Sequence, residues 1–515
     1  MTTNHKISSN LLELSNCIRF LAIDAVQEAN SGHPGMPMGM ADIATVLFKD
    51  HLKFDPNDPS WIDRDRFIIS NGHGSMLLYA ALYLTGYKDI SIDDIKNFRQ
   101  LGSPTAGHPE YGELGGIETT TGPLSQGLAN GVGFALAEKI LNNRFDNNTF
   151  NHFTYVFAGD GCLMEGLSHE ASSLAGHLGL SKLIVFFDDN SISIDGETSL
   201  SVSEDTINRY RSYGWDTQKI DGHNHEEISN AINSAKQNKK PTLIACKTRI
   251  GFGSPNKESK SSSHGSPLGV EEIKLTKDNL NWPYNKFEIP TELLETWRSF
   301  SMRNTEIKNR WLLDNKKIIS SSNFKEFYSN EISINLKNKI LDFKNYHFKE
   351  KTNCATRKAS ELSLEIIDSE IKNLIGGSAD LTGSNNTKTK NMLPISKDNF
   401  EGSYIYYGIR EHGMASIMNG LALHGGLRPY GGTFLVFTDY CRPSIRLSAI
   451  MKLPVIYVMT HDSIGLGEDG PTHQPVEHIA SLRAIPNLTV IRPSDILETI
   501  ESWDYALRSE SPTIL

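Results

Sequence analysis

The chain reads FTYVFAGDGCLMEGLSHEASSLAGHLGLSKLIVFFDDN from Phe153 to Asn190. Two apolar runs in this stretch, residues 155–158 and 183–187, are typical of buried parallel strands. The segment between them is long enough for the crossover helix that parallel pairing requires. The stretch therefore predicts a strand–helix–strand unit and, with it, an α/β fold.

Each predicted strand ends in a side chain that carries an oxygen atom. Asp160 follows the first strand within the sequence Gly-Asp-Gly, and Asn190 follows the second strand. Ligands of open α/β sheets bind beyond the carboxyl ends of the strands, where a carboxylate and an amide oxygen can hold a hard cation. Gly161 lets the backbone approach a diphosphate closely. These residues predict a magnesium diphosphate site.

The composition limits the possible functions. A chain of 515 residues is too long for one core, so we expect two or three domains. A formal net charge of −10 gives no long-range attraction for nucleic acid or an anionic membrane, although a local basic pocket can still bind phosphate. The five cysteines are odd in number and dispersed, which argues against a disulfide framework and a thiolate zinc site.

Targeting signals are not recognisable in the sequence. The N-terminal residues lack the apolar core of a signal peptide, and no apolar run reaches the length of a membrane-spanning helix. We therefore expect a cytoplasmic protein with neither a nucleic acid nor a membrane as partner.

The pattern along the chain divides it into regions. Glycine-rich loops, short apolar strands and amphipathic helices alternate over residues 11–253, as in a doubly wound α/β domain. Residues 282–351 are rich in Asn, Lys and Ser and predict a helical, solvent-covered connection. Strands are predicted again at 374–376, 404–407 and 455–460, and the final residues, 511–515, read as a strand that enters this second sheet.

Six histidines lie in loops rich in glycine or proline. A single loop histidine is usually a surface or capping residue, but a set of six in such loops is harder to explain in that way. Imidazole donates hydrogen bonds to hydroxyls and phosphates near neutral pH, and zinc binding is the alternative, which no i, i+4 pair or nearby cysteine set favours. The six are His33, His73, His108, His264, His461 and His473.

The sequence Thr-Gly-Pro-Leu-Ser-Gln-Gly at 121–127 precedes a helix predicted over 128–140. Free backbone N–H groups at a helix N-terminus suit a diphosphate or the edge of a cofactor. An ordinary N-terminal turn explains the same residues equally well, so both interpretations remain open.

An acidic residue and an aromatic stripe are prominent in the second half. Glu411 lies between a predicted strand and a predicted helix, and Phe434, Phe437 and Tyr440 recur every three residues, which predicts one helical face. Core packing alone accounts for such a stripe. Together with a buried glutamate, it suggests an aromatic pocket that raises the carboxyl pKa and lets the group share a proton with a heteroaromatic nitrogen.

An acidic loop follows a predicted strand at 453–460. Residues 461–470 contain His461, Glu468 and Asp469 among glycines. The register of these oxygens does not match an EF-hand calcium loop, so recognition of sugar hydroxyls is the better interpretation.

The Gly-Asp-Gly motif with Asn about thirty residues later resembles the metal signature of thiamine diphosphate enzymes, and the ordered segments from His33 to Leu515 resemble the transketolase family. The resemblance implies two doubly wound parallel-sheet domains, a diphosphate- and metal-binding domain at 1–280 and an aminopyrimidine-binding domain at 351–515, with a helical linker at 281–350. It implies a homodimer that holds thiamine diphosphate between the first domain of one subunit and the second domain of its partner.

The activity that the resemblance implies is reversible transfer of a two-carbon ketol group within the pentose phosphate pathway. The donor is a ketose phosphate such as xylulose 5-phosphate, and the acceptor is an aldose phosphate such as ribose 5-phosphate. Dihydroxyacetone synthase and deoxyxylulose phosphate synthase share the metal motif and the glutamate. His33, His108 and His461 with Asp469 favour a sugar donor over pyruvate.

The resemblance also implies a role for each matching residue. Glu411 bonds the pyrimidine nitrogen of the cofactor and promotes its imino tautomer, and the other implied catalytic residues are His33, His264 and His473. The implied ligands of Mg²⁺, Ca²⁺ or another divalent cation are Asp160, Asn190 and the carbonyl of Ile192. The implied cofactor contacts are His73, Gly122, Pro123, Leu124, Gly161, Asn190, His264, Phe434 and Phe437. The implied substrate contacts are His33, His108, His264, Arg357, Ser384, His461, Asp469 and His473.

Three departures from the family pattern stand out. Ser125 replaces a usual glycine, Ser191 adds a side chain after the metal ligand, and residues 256–260 lack the common Gly-Thr pair. Both serines are expected to crowd the diphosphate slightly. Family members continue beyond the last residue into a third, C-terminal domain, so we expect a fragment of a longer reading frame, and an inactive truncated product is the alternative from another functional class.

Overall fold

A computed structural model describes residues 10–145, 148–329 and 331–515. The chain forms two compact units, each with its own parallel sheet. The first unit comprises Met1–Leu128, His152–His169 and Gly179–Leu313, and the second comprises Ala129–Asn151, Glu170–Leu178 and Asp314–Leu515. Among the described residues, no helix combines the length and the apolar character that a membrane crossing requires.

The first unit contains five parallel strands in the order β1-β2-β3-β5-β4. Their bounds are β1 Arg66–Ile69, β2 Thr154–Gly159, β3 Leu183–Asp189, β4 Asp216–Asp221 and β5 Thr242–Lys247. The pairing of β2 with β3 brings Gly159 opposite Asp188. The predicted strand–helix–strand unit is thus confirmed, and its two strands are neighbours whose carboxyl ends meet at one edge.

Helices alternate with these strands along the chain. The first twelve helices are α1 Leu11–Glu28, α2 Gly35–Val46, α3 Ser75–Thr85, α4 Ile92–Lys96, α5 Gln126–Arg144, α6 Asp160–Met164, α7 Gly166–Leu178, α8 Thr206–Ser212, α9 His225–Gln237, α10 Val270–Asn279, α11 Thr291–Ser299 and α12 Met302–Ser320. A π-helical turn, Leu47–His51, extends α2, and short 3₁₀ helices span Gly72–Gly74, Thr198–Leu200 and Ser261–Ser263.

The region predicted to be a solvent-covered connection begins inside the first core. Trp297 of α11 is fully buried, and its indole N–H donates to the carbonyl of Leu14 at 3.2 Å. Trp282 is 3% exposed and stacks on Phe20 with 5.1 Å between ring centroids. Helices are present as predicted, but their apolar residues are part of the core of the first unit, so this part of the connection is not covered by solvent.

The second unit contains six parallel strands in the order β10-β11-β9-β8-β6-β7. Their bounds are β6 Leu374–Ser378, β7 Tyr404–Tyr406, β8 Arg428–Phe434, β9 Ile456–Thr460, β10 Thr489–Val490 and β11 Thr513–Ile514. The remaining helices are α13 Ser322–Tyr328, α14 Ile334–Glu350, α15 Thr356–Glu370, α16 Thr382–Asn385, α17 Glu411–His424, α18 Thr438–Ile450, α19 His478–Arg483 and α20 Ile496–Arg508. The predicted final strand is confirmed, since β11 lies between β9 and β10.

The aromatic stripe at 434, 437 and 440 does not lie on one helical face, so that prediction is wrong. Phe434 is the last residue of β8, residues Leu435–Phe437 form a 3₁₀ helix, and α18 begins only at Thr438. A 3₁₀ helix has three residues per turn, and its spacing mimics a helical stripe in the sequence. The rings of Phe434 and Phe437 nevertheless stack, with centroids 5.8 Å apart.

Two glycines let α5 and α17 approach closely in the second unit. A Cβ atom on Gly420 would lie 2.2 Å from the carbonyl oxygen of Asn130, and one on Gly133 would lie 2.3 Å from that of Ile417. The Asn130 amide also donates to the Ser416 carbonyl at 2.8 Å. Glu411 is the first residue of α17, so this contact fixes the helix that presents it.

We predict that Gly420→Ala lowers the free energy of unfolding by about 1–3 kcal/mol, because the added methyl group collides with backbone atoms that cannot move independently. Gly383→Ala is the matched control, since a Cβ there meets no heavy atom within 4 Å. Urea unfolding of both variants checks the prediction, and equal midpoints would refute the close contact.

Candidate active site

The carboxyl edge of the first sheet brings together three loops. Asn71 follows β1, Asp160 follows β2 and Asn190 follows β3. A Cβ on Gly72 would lie 2.6 Å from Thr121 Oγ1, so the loop before α5 packs directly against the loop after β1. Polar atoms that are buried and have no hydrogen-bond partner among the described residues occur in the same loops: Asn71 Oδ1, Thr121 Oγ1, Ser125 Oγ and Asp160 Oδ2.

Asp160 sits in an environment that disfavours its negative charge. Burial, followed by the nearby carboxylates of Asp188 and Asp189, raises the pKa of Asp160 to about 7. Burial likewise raises the pKa of Asp188 to about 6. A divalent cation would give the bare Asp160 oxygen a partner and offset this repulsion, so the residues at this edge fit a metal ion.

The side chain of Asn190 is held in one orientation. Its Nδ2 donates to Asp188 Oδ2 at 2.9 Å, and its Oδ1 accepts the N–H of Ile192 at 2.9 Å. Thr248 donates to the other oxygen of Asp188. The sequence interpretation did not identify Asp188, although a residue two positions before Asn190 at a strand end lies on the same face.

Both serines that depart from the family pattern adopt left-handed backbone conformations. The φ angle is 71° at Ser125 and 64° at Ser191. Glycine adopts this backbone conformation most easily, which explains why glycine is the usual family residue at these turns. The Ser191 hydroxyl accepts a hydrogen bond from Lys247 Nζ at 2.8 Å.

The turn before α5 depends on glycines. Gly122 has a φ angle of 148°, and a Cβ there would lie 3.3 Å from Cγ of His108. Pro123 and Leu124 follow, and a Cβ on Gly161 would lie 2.9 Å from Cδ1 of Leu124. The predicted cofactor loop and the Gly-Asp-Gly turn are therefore in contact.

Three histidine rings from distant parts of the sequence form a cluster. The centroid of His73 lies 5.0 Å from that of His33 and 4.9 Å from that of His264, and the centroids of His33 and His264 are 5.8 Å apart. Burial and then the Arg99 guanidinium lower the pKa of His33 to about 4. Burial also lowers the pKa of His73, His108 and His264, so these rings are neutral at physiological pH.

Arg99 is a site residue that the sequence interpretation missed. Its Nη1 donates to the Ser31 hydroxyl at 2.7 Å, and its Nη2 lies 3.5 Å from His33 Nδ1. A guanidinium beside the neutral His33 ring suits an anionic or hydroxylated ligand. The only signal in the sequence is a basic residue shortly before the loop that contains His108.

Glu411 is 9% exposed, and burial raises its pKa. It lies close enough to Glu170 for the two carboxyl groups to interact electrostatically. Glu170 Oε2 accepts the backbone N–H of Gly413 at 2.7 Å, which attaches it to the first turn of α17. Burial, and to a smaller extent Glu411, raises the pKa of Glu170, so this pair favours protonated carboxyl groups.

Aromatic and imidazole rings form a cluster in the second unit. The ring centroid of His461 lies 3.8 Å from that of Phe434, and the centroid of His473 lies 5.5 Å from that of Phe437. Thr460 Oγ1 and Thr472 Oγ1 form hydrogen bonds with the Nδ1 atoms of His461 and His473 at 2.9 and 3.0 Å. The aromatic pair predicted to surround a cofactor ring thus adjoins two of the predicted substrate histidines.

The predicted phosphate-binding residues lie at the carboxyl edge of the second sheet. Arg357 Nη1 is 3.3 Å from His461 Nε2, and both residues line a cavity of about 180 Å³. Ser384 belongs to α16, which Asn385 attaches to Thr433 at the end of β8 and to Thr460 at the end of β9. Asp469 is exposed and interacts electrostatically with His461, whose pKa is lowered by burial and then by Arg357.

The comparisons with known proteins agree with this geometry. The family model of the transketolase thiamine diphosphate binding domain matches residues 12–338. The family model of the transketolase pyrimidine binding domain matches residues 352–515. The chain belongs to the transketolase family. It is a thiamine diphosphate-dependent transferase. The family predicted from the sequence and the prediction of two parallel-sheet α/β domains are both confirmed.

Transketolases of several organisms are similar over nearly the whole chain. The chain is 55% identical over 503 residues to the transketolase of Cereibacter sphaeroides. The matched region covers 98% of this chain and 76% of that relative. The transketolase of Leishmania mexicana has a TM-score of 0.94 at 45% identity, over 98% of this chain and 77% of that structure. A transketolase of Pichia stipitis solved with sedoheptulose 7-phosphate has a TM-score of 0.92 at 44% identity, over the same shares.

Proposed function

We propose that the chain catalyses reversible ketol transfer from a ketose phosphate to an aldose phosphate, in the pentose phosphate pathway of the cytoplasm, with the residues described above. The observation that carries this proposal is the buried Asp160 Oδ2, which has no hydrogen-bond partner among the described residues. Asp160 and Asn190 follow neighbouring strands of a thiamine diphosphate-binding domain. Sugar phosphates as substrates are supported by the sedoheptulose 7-phosphate complex of the Pichia stipitis relative.

Thiamine diphosphate supplies the carbon nucleophile and the electron sink for carbon–carbon cleavage when it is bound. We assign its metal, Mg²⁺ or another divalent cation such as Ca²⁺, to Asp160, the oriented Oδ1 of Asn190 and the carbonyl of Ile192. The residues assigned to the cofactor itself are His73, Gly122, Pro123, Leu124, Gly161, Asn190, His264, Phe434 and Phe437. The buried, partnerless Nδ1 of His264 supports a hydrogen bond to a ligand there.

Glu411 is assigned the role of holding a proton for the pyrimidine nitrogen. Burial raises its pKa and so favours the protonated carboxyl group, and its position at the start of α17 fixes where that proton lies. A positioned acid whose pKa approaches the working pH transfers protons efficiently in both directions. Glu170 helps to keep this environment unfavourable to a negative charge.

The substrate contacts are divided between imidazoles and charged groups. His33, His108, His264 and His473 are assigned to the reacting carbonyl and hydroxyl groups, where imidazole rings can donate hydrogen bonds or move protons. Asp469 is assigned to a sugar hydroxyl. The contact of Arg357 with His461 supports a phosphate site made of these two residues and Ser384.

A homodimer is part of the proposal. Both units contain assigned residues, and large apolar side chains near Glu411, Phe437 and His473 in the sequence are exposed: Tyr406, Ile409, Tyr440 and Val476. Exposed apolar side chains near functional residues mark interaction surfaces. A second copy of the chain is the partner that would complete the site.

The first test is a coupled assay with thiamine diphosphate and Mg²⁺. We expect xylulose 5-phosphate and ribose 5-phosphate to give a three-carbon aldose phosphate and a seven-carbon ketose phosphate. Pyruvate replaces xylulose 5-phosphate in the control reaction. Consumption of pyruvate without transfer from xylulose 5-phosphate would assign the chain to another thiamine diphosphate reaction.

The second prediction concerns Glu411→Gln. The amide cannot release or accept the shared proton, so we expect hydrogen–deuterium exchange at C2 of the bound cofactor to slow by about 10²–10⁴-fold, while cofactor affinity changes little. NMR of quenched samples measures the exchange, and calorimetry measures the affinity. The exposed Glu401 provides the control variant Glu401→Gln, and normal exchange in Glu411→Gln would remove this residue from the mechanism.

The third prediction concerns Asp160→Asn, which should act in opposite directions on stability and on binding. The folded protein holds the Asp160 proton up to a pKa of about 7, against an ordinary value of 3.8, so ionisation destabilises the metal-free fold as pH rises across this interval. The neutral amide avoids this cost, and the variant should be more stable at pH 8 and closer to wild type at pH 4–5. It should also bind Mg²⁺ and thiamine diphosphate more weakly.

Urea unfolding of metal-free protein at both pH values, with calorimetric titration at pH 8, checks the pair of effects. Asp195→Asn changes an exposed carboxylate of the loop after β3 and serves as the control. Unchanged metal affinity in Asp160→Asn would contradict the metal assignment, and reduced stability at pH 8 would contradict the electrostatic argument.

A further inference from the structure

Another buried carboxylate, that of Asp42, lies outside the clusters described above. Asp42 of α2 accepts hydrogen bonds from His223 Nδ1 at 2.9 Å and from His225 Nε2 at 3.0 Å, and it forms an ion pair with Arg19 of α1. The Arg19 side chain is fully buried and also donates to the Met38 carbonyl at 3.0 Å. We refer to Arg19, Asp42, His223 and His225 as the Asp42 cluster.

The hydrogen bonds of this cluster fix its charges and protons. The backbone N–H of Arg249 donates to His223 Nε2 at 3.2 Å, so this nitrogen is an acceptor and the proton lies on Nδ1, facing Asp42. Burial alone would raise the pKa of Asp42, but the Arg19 guanidinium and the two imidazole donors hold it well below its usual range. Asp42 is thus a permanent anion with a complete set of donors.

The Asp42 cluster contacts the loop that leads to His264. Phe252 stacks on His223 with 4.1 Å between ring centroids. The guanidinium carbon of Arg19 lies 4.4 Å from the centroid of the Phe252 ring, and that of Arg249 lies 4.7 Å from it. Cations over an aromatic face stabilise such an arrangement. The ring therefore joins the cluster to residues 249–264, here called the His264 loop.

The same loop packs against the N-terminus of α2. The N–H of Gly251 donates to the carbonyl of Gly35 at 3.0 Å, and a Cβ on Gly35 would lie 2.5 Å from the carbonyl oxygen of Ser263. His33 lies two residues before the first residue of this helix, and His264 immediately follows Ser263. The relative position of α2 and the loop therefore determines the distance between the His33 and His264 rings.

We propose that Asp42 is a positioning residue that, through His223 and Phe252, holds the His264 loop against α2 and thereby sets the spacing of His33 and His264. Asp42 touches neither cofactor nor substrate in this proposal. Its effect on binding and turnover rests on the roles proposed above for His33 and His264, whereas its effect on the loop does not.

The test uses changes on the loop side of the cluster. Asp42→Asn would leave the buried Arg19 without its counterion and risks unfolding the protein. Phe252 is half-buried, so Phe252→Leu removes the ring with less risk, Phe252→Tyr keeps the ring as a conservative rescue, and His223→Gln removes the stacking partner. Phe287→Leu is the matched control, because Phe287 is also half-buried and lies under a cation, Lys286, in the same unit.

The first readout does not depend on catalysis. Trypsin cleavage after Lys257 and Lys260 in cofactor-free protein reports the opening of the His264 loop. We expect cleavage to be about tenfold faster in Phe252→Leu and His223→Gln, and unchanged in Phe252→Tyr and Phe287→Leu, with similar thermal midpoints in all four. Wild-type cleavage rates in Phe252→Leu, or equal acceleration in Phe287→Leu, would overturn the proposal.

The second readout connects the loop to the proposed function. With Mg²⁺ present, we expect the Kd for thiamine diphosphate to rise about tenfold in Phe252→Leu, with kcat reduced and KM for xylulose 5-phosphate raised, and near-normal values in Phe252→Tyr. Faster cleavage with an unchanged Kd and unchanged kinetics would overturn the link from the loop to the site. If wild type itself neither bound the cofactor nor turned over, the proposed function would fail, and the cleavage rates would still decide the positioning role.

Discussion

The carboxylates at the ends of β2 and β3 impose the main physical constraint on this protein. Asp160 and Asp188 lie near each other with restricted access to water, and their pKa values rise as a result. Burying ionised groups without a counterion costs several kcal/mol. Lys247 only partly offsets the repulsion at Asp160, whose Oδ2 has no hydrogen-bond partner among the described residues. A bound ligand that supplied positive charge would therefore stabilise this edge of the sheet.

Parallel strand order explains how segments distant in the sequence reach one edge. In the first unit the strand ends carry Asn71, Asp160 and Asn190, and in the second unit the ends of β8 and β9 carry Phe434 and His461. Because every strand runs in the same direction, every loop that follows a strand emerges on the same side. Glycines then allow these loops to touch, as Gly72 does against Thr121.

The sequence predicted those features that depend on local pattern. Apolar runs identified β2, β3, β9 and β11, and the ordered motifs identified the family. The stripe at 434, 437 and 440 misled because a strand followed by a 3₁₀ turn produces the same spacing as a helix. Trp297 could not be assigned to the first core from its polar surroundings in the sequence, since its burial depends on contacts with Leu14, far away in the chain. Arg99 was missed for the same reason, because its contacts with Ser31 and His33 join distant parts of the chain.

Asp42 and Asp160 illustrate how one residue type acquires opposite properties in one unit. Both experience desolvation, which favours the neutral acid. Asp42 meets Arg19 and two imidazole donors, so its charge is retained and it holds backbone segments together. Asp160 meets further carboxylates and keeps a bare oxygen. A buried carboxylate with several donors stabilises the fold, whereas one with an unpaired oxygen beside other carboxylates is a candidate for ligand binding. The sequence alone does not show which of the two a residue becomes, because the fold supplies its partners.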